Sequence, residues 1–147
     1  MNYSKKQKKK YKVVIDANVI ISSIFGGYPE ESVRLALNNV CVAPKLLKKE
    51  LDKFVNTLKR KNKGNFKNTS EFFRYILSHI TLIEPRKIFN ISKDKNDNHY
   101  ISVAIQEKAE FLVSGDNDIL SVKEKIKSTC RILSPKEFVK TLKNRKG

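Results

Sequence analysis

Two acidic residues stand where apolar segments end, which is where a carboxylate could take part in chemistry. Asp16 follows the apolar residues 13–15, and Asp116 lies two positions past the apolar run FLVS at residues 111–114. Both runs are continuous rather than alternating, which is typical of strands buried on both faces of a parallel sheet. Ligands bind beyond the carboxyl ends of such strands, so we expect Asp16 and Asp116 to reach one crevice if their strands are neighbours.

Helical geometry singles out two further acids, Glu50 and Asp97. In a helix predicted over residues 44–61, Glu50 lies about 60° from Leu47 and is the only charged residue inside the apolar stripe. Asp97 shares a face with apolar residues in a helix predicted over residues 97–108. It also falls in the first turn of that helix, where an anion is favoured.

Four carboxylates that converge on one site would repel one another, and an unpaired buried carboxylate costs several kcal/mol or shifts its pKa. A divalent cation removes that conflict. Oxygen ligands of this kind suit Mg²⁺ or Mn²⁺, which can activate water and hold a phosphate oxygen. Each acid also has a simpler interpretation: Asp16, Asp97 or Asp118 could cap a helix, and Glu50 could pair with a buried cation. Taken together, the set favours a metal site.

The elements that must position these acids alternate between strand and helix. This alternation predicts an α/β fold with a mostly parallel central sheet covered by helices on both sides. Strands are predicted over residues 11–16, 40–43, 81–84, 111–114 and 131–133, and helices over 18–25, 30–38, 44–61, 71–79, 97–108, 119–126 and after the capping box at 134–137.

Length and charge narrow the classes of protein. The 147 residues fit one domain, predicted over residues 11–147, preceded by a lysine-rich arm over residues 1–10 that we expect to be disordered. A formal charge of +16 favours a polyanionic partner such as nucleic acid. No apolar run reaches the roughly 18 residues of a membrane span. The two cysteines, Cys41 and Cys130, are expected to be reduced core thiols. We therefore expect a cytoplasmic protein without a membrane partner.

A second basic segment, predicted as a loop over residues 59–68, surrounds the aromatic residue Phe66. An aromatic side chain among cations suits single-stranded RNA, although such charge runs are often only solvated. The candidate RNA-binding residues are Lys59, Arg60, Lys61, Lys63, Phe66 and Lys67.

Several motifs, in this order, resemble the PIN-domain nucleases. They are VVIDANVIISSI at residues 13–24, the pair Glu50-Leu51, KDKNDNHYISVAI at 93–105, FLVSGDNDIL at 111–120 and SPKEF at 134–138. The branch with the greatest similarity is that of the VapC-like toxins of toxin–antitoxin pairs.

The resemblance implies a three-layer α/β/α sandwich with an acidic pocket that binds Mg²⁺ or Mn²⁺. It also implies metal-dependent endoribonuclease activity, a protein antitoxin and a homodimer. Position by position, the family's catalytic and metal-binding acids fall on Asp16, Glu50, Asp97 and Asp116, with Asp118 as an auxiliary ligand or helix cap. Asn18 and Ser114 match polar positions that hold the first and last acids, whereas Asp94 is left outside the set.

Two other functions stay open from the residues. One is an RNA-binding module whose pocket does not cleave, and the intact set of four acids argues against it. The other is a nuclease of RNA maturation that has no antitoxin.

Overall fold

The computed structural model describes residues 10–145 and contains one five-stranded sheet in which every neighbouring pair is parallel. Except for Lys10, the basic arm predicted over residues 1–10 lies outside the described residues. The strands are β1 (Lys12–Ile15), β2 (Val40–Pro44), β3 (Thr81–Ile83), β4 (Phe111–Val113) and β5 (Arg131–Leu133).

The order of the strands, β3-β2-β1-β4-β5, decides where the sheet can hold a ligand. The chain moves outward from β1 to β3, then crosses to the other side of β1 to form β4 and β5. The carboxyl ends of β1 and β4 therefore flank the point where the strand order reverses, which is where open parallel sheets bind ligands. Ile15 is in register with Val113, so the residues that follow, Asp16 and Ser114, lie side by side.

Within residues 10–145, eight α-helices cover the sheet. Right-handed crossovers that run in opposite directions from β1 place their helices on opposite faces of the sheet, which gives the three-layer α/β/α architecture. The helices are α1 (Ala17–Ser22), α2 (Gly27–Leu37), α3 (Leu46–Arg60), α4 (Phe66–Leu77), α5 (Lys95–Gln106), α6 (Asn117–Leu120), α7 (Lys123–Ile126) and α8 (Pro135–Asn144). Helix α5 packs across β1, β2 and β4, whereas α2 packs on β1 and β2 and against α8.

The helix predicted over residues 18–25 is α1 followed by a 3-10 turn at Ser23–Phe25, and the one predicted over residues 30–38 begins at Gly27. Two other helical predictions differ further from the structure. Helix α4 begins at Phe66 rather than at residue 71, because the Asn65 side chain accepts a hydrogen bond from the Asn68 N–H and caps the helix. The basic segment over residues 59–68, predicted as a loop, is therefore helical over half of its length, and only residues 61–65 form the connection between α3 and α4. The helix predicted over residues 119–126 is divided into α6 and α7, and α6 begins early because Asp116 caps it.

The core lies on both faces of the sheet and includes all of the apolar residues of β1 and β4, none of which is exposed. Cys41 and Cys130 are buried free thiols, as predicted. Within residues 10–145, none of the helices combines the length and the apolar character that crossing a bilayer requires.

Candidate active site

Asp16 is buried at the end of β1, where both of its carboxylate oxygens are engaged. Its Oδ1 atom accepts a hydrogen bond from the backbone N–H of Asn18 at 3.1 Å and thereby caps α1. Its Oδ2 atom accepts a hydrogen bond from the Ser114 hydroxyl at 2.7 Å. The cap interpretation is therefore correct, but it accounts for only one of the two oxygens.

Ser114, which is fully buried at the end of β4, connects Asp16 to Asp116. Its hydroxyl donates to Asp16 and also accepts the backbone N–H of Asp116 at 2.9 Å. Asp116 in turn caps α6 by accepting the Asp118 N–H at 2.7 Å. One hydroxyl thus links the two strand ends that carry acids.

Helix α5 supplies Asp97, which is 6% exposed and lies in the first turn, as predicted. The residue that caps α5 is Asp94, whose Oδ1 atom accepts the N–H groups of Asn96 at 2.8 Å and Asp97 at 3.4 Å. Asp94, Asp97 and Asp118 each place a carboxylate oxygen within 4.8 Å of the other two. Asp94, left outside the set by sequence reasoning, therefore belongs to the group.

The loop that precedes α5 is fastened to one flank of that helix. The buried Asn98 side chain accepts the N–H groups of Ile91 at 3.0 Å and Ser92 at 2.7 Å, and donates to the Ser92 carbonyl at 2.9 Å. This arrangement brings the Ser92 hydroxyl to 3.4 Å from Asp97 Oδ2. Asn98 therefore holds the loop in the position from which Ser92 reaches Asp97.

The opposite flank of α5 contacts Glu50, the acid supplied by α3. The Tyr100 hydroxyl donates to Glu50 Oε1 at 2.5 Å, and the Asn96 side-chain amide donates to Oε2 at 3.4 Å. Burial and the Glu50 charge raise the pKa of Tyr100 above its ordinary value, so the phenol remains a donor. Glu50 is thus bonded to neutral groups rather than to the buried cation considered above.

We define the acidic cluster as Asp16, Glu50, Asp94, Asp97, Asp116 and Asp118. Burial raises the pKa of Asp16 to about 6, even though the bonds from Ser114 and Asn18 lower it, and the charges of Glu50 and Asp116 add to the rise. Burial also raises the pKa of Asp97 to about 7, with added contributions from the charges of Asp116, Asp94, Asp16 and Asp118. The hydrogen bonds through Ser114 and Asn96 and the close approach of Asp94, Asp97 and Asp118 bring the six carboxylates to one region.

The acidic cluster has little compensating positive charge although the chain carries +16. Lys93 lies 3.7 Å from Asp118, with its own side chain 85% exposed. Within residues 10–145, the other five acids form no ion pair. A region of carboxylate oxygens without resident cations has the ligand chemistry of a Mg²⁺ or Mn²⁺ site, so the residues present fit such an ion.

The structure brings Asp16, Glu50, Asp97, Asp116 and Asp118 into one region and gives the two supporting residues different roles. Ser114 contacts the acids through its side chain, whereas the exposed Asn18 contacts Asp16 through its backbone N–H. Sequence reasoning missed the neighbours on α5 and in the loop and cap that precede it, which are Ser92, Asp94, Asn96, Asn98 and Tyr100. Asp94 had a detectable signal, since an aspartate three residues before Asp97 is a typical helix cap.

The candidate RNA-binding residues lie elsewhere on the molecule. Lys59 and Arg60 end α3, Phe66 and Lys67 begin α4, and Lys61 and Lys63 lie between the two helices. Lys59, Phe66, Lys67 and Arg74 line a groove of about 420 Å³ between α3 and α4. At 100° per residue, Lys59 lies about 180° around α3 from Glu50, so this groove and the acidic cluster are on opposite sides of that helix.

Comparisons with known proteins agree with this fold and topology. The family model for the PIN domain matches residues 12–118. The uncharacterized protein MJ1680 of Methanocaldococcus jannaschii is 32% identical over 146 residues, which cover 92% of this chain and 94% of that protein.

Two crystal structures share the fold. PAE2754 from Pyrobaculum aerophilum aligns with a TM-score of 0.64 and 12% identity, over 92% of this chain and 90% of its own. The structure of VapBC2 from Rickettsia felis bound to a DNA fragment from the VapBC2 promoter aligns with a TM-score of 0.57 and 15% identity. The alignment covers 84% of this chain and 98% of the matched chain.

The chain belongs to the PIN-domain family, whose members are generally nucleases that depend on divalent metal ions.

Proposed function

We propose that this protein is an endoribonuclease that depends on Mg²⁺ or Mn²⁺ and acts as the toxin of a toxin–antitoxin pair. The observation that carries the proposal is the acidic cluster at the reversal of strand order, where one lysine at 3.7 Å from Asp118 is the only ion-pair partner within residues 10–145. Carboxylates at the carboxyl ends of β1 and β4 are rigidly placed to hold an ion there.

The proposed metal-binding and catalytic residues are Asp16, Glu50, Asp97 and Asp116, with Asp118 as an auxiliary ligand. Asp94 is a further candidate, because its oxygen lies within 4.8 Å of the oxygens of Asp97 and Asp118. A bound Mg²⁺ or Mn²⁺ ion would supply Lewis-acid chemistry, which stabilises charge that develops on a phosphate and lowers the pKa of water. Ser114 and Asn18 hold Asp16 in place for this role.

RNA is the proposed substrate because the remainder of the chain is strongly basic. Hydrolysis adds water across the P–O3′ bond, which leaves a 5′-phosphate and a 3′-hydroxyl. We propose that RNA is bound by Lys59, Arg60, Lys61, Lys63, Phe66 and Lys67, to which the groove adds Arg74. Cations there would contact phosphates, and the ring of Phe66 would stack on a base.

The toxin assignment is supported by the likeness to VapBC2, together with the earlier resemblance of the motifs. The toxin assignment implies a protein antitoxin as partner and a second copy of the chain in a homodimer. A cytoplasmic location is part of the same proposal, and the two free, buried cysteines fit a reducing compartment.

The test is cleavage of mixed-sequence single-stranded RNA by the purified chain with Mn²⁺, with Mg²⁺ or with EDTA. We expect cleavage only with metal, and none by Asp16→Asn with either ion. Asp52→Asn is the matched control, since Asp52 is an exposed acid on α3 that pairs with Lys48. RNA that is bound but never cut, with no calorimetric signal for metal, would favour the RNA-binding module instead.

Growth arrest separates a toxin from a nuclease of RNA maturation. We expect expression of the wild-type chain to stop growth and expression of Asp16→Asn to permit it. Normal growth with active enzyme in the cells would remove the toxin assignment and leave the nuclease.

A further inference from the structure

Glu50 is held by two residues that lie one turn apart on α5. Tyr100 donates to one oxygen of the carboxylate at 2.5 Å and Asn96 donates to the other at 3.4 Å. Residues four apart share one side of a helix. Helix α5 therefore presents Asp97 and, on the adjacent flank, two donors that fix an acid belonging to α3.

Glu50 needs such a restraint more than the three capping acids do. Asp16, Asp94 and Asp116 are fixed by capping bonds to backbone N–H groups, whereas Glu50 lies in the second turn of α3 and caps nothing. Its side chain is long and half-buried, and its charge acts on Asp16. Repulsion and rotamer entropy would both favour its moving into solvent.

Tyr100 is a rigid anchor for this purpose. It is 1% exposed, so packing fixes the ring, and Glu50 is the residue to which its hydroxyl donates. Asn96 is exposed and its contact is longer, so it is the weaker of the two donors that together fix the position of Glu50.

We infer that Tyr100, assisted by Asn96, is a positioning residue that keeps the Glu50 carboxylate in the acidic cluster, where it can help to bind a divalent cation. The inference assumes that the acidic cluster binds a cation, and it therefore rests on the proposed function. Groups that orient metal ligands through a hydrogen bond typically change metal affinity or activity by about 10- to 100-fold when they are removed.

The test is calorimetric titration of the full chain with Mn²⁺ alone, using Tyr100→Phe, which keeps the ring and removes only the hydroxyl. We expect Mn²⁺ affinity to fall about 10-fold. Tyr75→Phe, at an exposed tyrosine on α4, is the matched control and should bind Mn²⁺ like wild type. The same Tyr100→Phe change made in Glu50→Gln should have no further effect on Mn²⁺ affinity, because residue 50 then lacks the charged carboxylate that the Tyr100 hydroxyl positions.

Each outcome decides the inference. Unchanged Mn²⁺ affinity in folded Tyr100→Phe would overturn it, and so would an equal loss in the wild-type and Glu50→Gln backgrounds or an absence of Mn²⁺ binding by wild type. If Tyr100→Phe does not fold, Asn96→Ala replaces it in the titration. A several-fold loss of Mn²⁺ affinity that occurs only in chains with Glu50 supports the fixing of Glu50 by α5. Unchanged Mn²⁺ affinity overturns it.

Failure of the proposed function gives a different pattern. Mn²⁺ binding that depends on both Tyr100 and Glu50, without any cleavage of RNA, keeps the positioning role and removes the ribonuclease. Metal-dependent cleavage that is equal in wild type and Tyr100→Phe at limiting Mn²⁺ keeps the ribonuclease and removes the positioning role.

Discussion

The Ser114 hydroxyl lies 2.7 Å from Asp16 Oδ2 and joins the carboxyl ends of β1 and β4 by a side-chain bond. The same oxygen accepts the Asp116 N–H, so the positions of two acids depend on a single buried group. A change at Ser114 should therefore act on Asp16 and Asp116 together.

Removal of the Ser114 hydroxyl should weaken both stability and cleavage. Ser114→Ala leaves a buried carboxylate oxygen and a backbone N–H without their partner, which costs about 1–3 kcal/mol. We expect RNA cleavage to fall about 10- to 100-fold, as for other groups that orient ligands. Denaturant unfolding and initial rates measure the two effects, with the exposed Ser78→Ala as control. Wild-type rates in Ser114→Ala would show that the link is dispensable.

The stability of the metal-free protein should depend on pH through Asp16. Its pKa is raised to about 6 from 3.8, so folding favours the protonated form. This contribution is complete below about pH 4 and is lost as the pH rises through 6. Wild type loses this contribution between pH 4 and pH 8, whereas Asp16→Asn has no titratable group there to lose it. The free energy of unfolding of Asp16→Asn should therefore rise relative to that of wild type over this range, by on the order of 2 kcal/mol.

Urea unfolding in EDTA at several pH values measures this difference, and Asp52→Asn is the exposed control. Only the change with pH is diagnostic, since the amide also alters the bond to Ser114 at every pH. A difference that stays constant from pH 4 to pH 8 would contradict the burial of an ionisable Asp16.

Metal binding should release protons near neutral pH. Because Asp16 and Asp97 have pKa values raised to about 6 and about 7, both are partly protonated at pH 6 and must lose those protons to bind Mn²⁺. We expect Mn²⁺ affinity to rise between pH 5.5 and pH 8, as estimated from those values. Calorimetry in buffers of different ionisation enthalpy counts the protons. Proton release that is unchanged in Asp97→Asn would place the ion elsewhere.

The groove between α3 and α4 should contribute affinity for RNA but no chemistry, because Lys59 and Glu50 face opposite sides of α3. The triple change Lys59→Ala, Lys67→Ala and Arg74→Ala should raise KM for RNA and leave kcat unchanged. The slope of log affinity for RNA against log salt concentration should also become shallower by about 2. Cleavage of a small phosphodiester such as bis(p-nitrophenyl) phosphate should not change.

A charge-matched control keeps the net charge equal and changes cations on other surfaces, at Lys125, Lys136 and Lys140. Equal loss of RNA affinity in the two triple variants would show that the groove acts only through net charge. A lower kcat for the small phosphodiester would show instead that it acts on the acidic cluster.

Much of the site could be predicted because local rules place its members. Continuous apolar runs marked β1 and β4, and a carboxylate after each one pointed to the sheet edge. Helical periodicity placed Glu50 inside the apolar stripe of α3 and Asp97 in the first turn of α5. Glu50 is half-buried on α3, and Asp97 lies in that first turn. The start of α4 was missed because its cap, Asn65, lies in a run of polar residues where a loop is the simpler interpretation.

Most of the strands and helices, and the acids that end them, could be predicted from the sequence alone, since they depend on neighbours within a few residues. The place of β1 between β2 and β4 and the contacts of Ser114 with Asp16 and of Tyr100 with Glu50 depend on the tertiary structure. Those partners are far apart along the chain, and nothing local fixes their distance. The register of a parallel sheet and the packing of α5 over it bring them together, because buried strands and helices fit in only one arrangement.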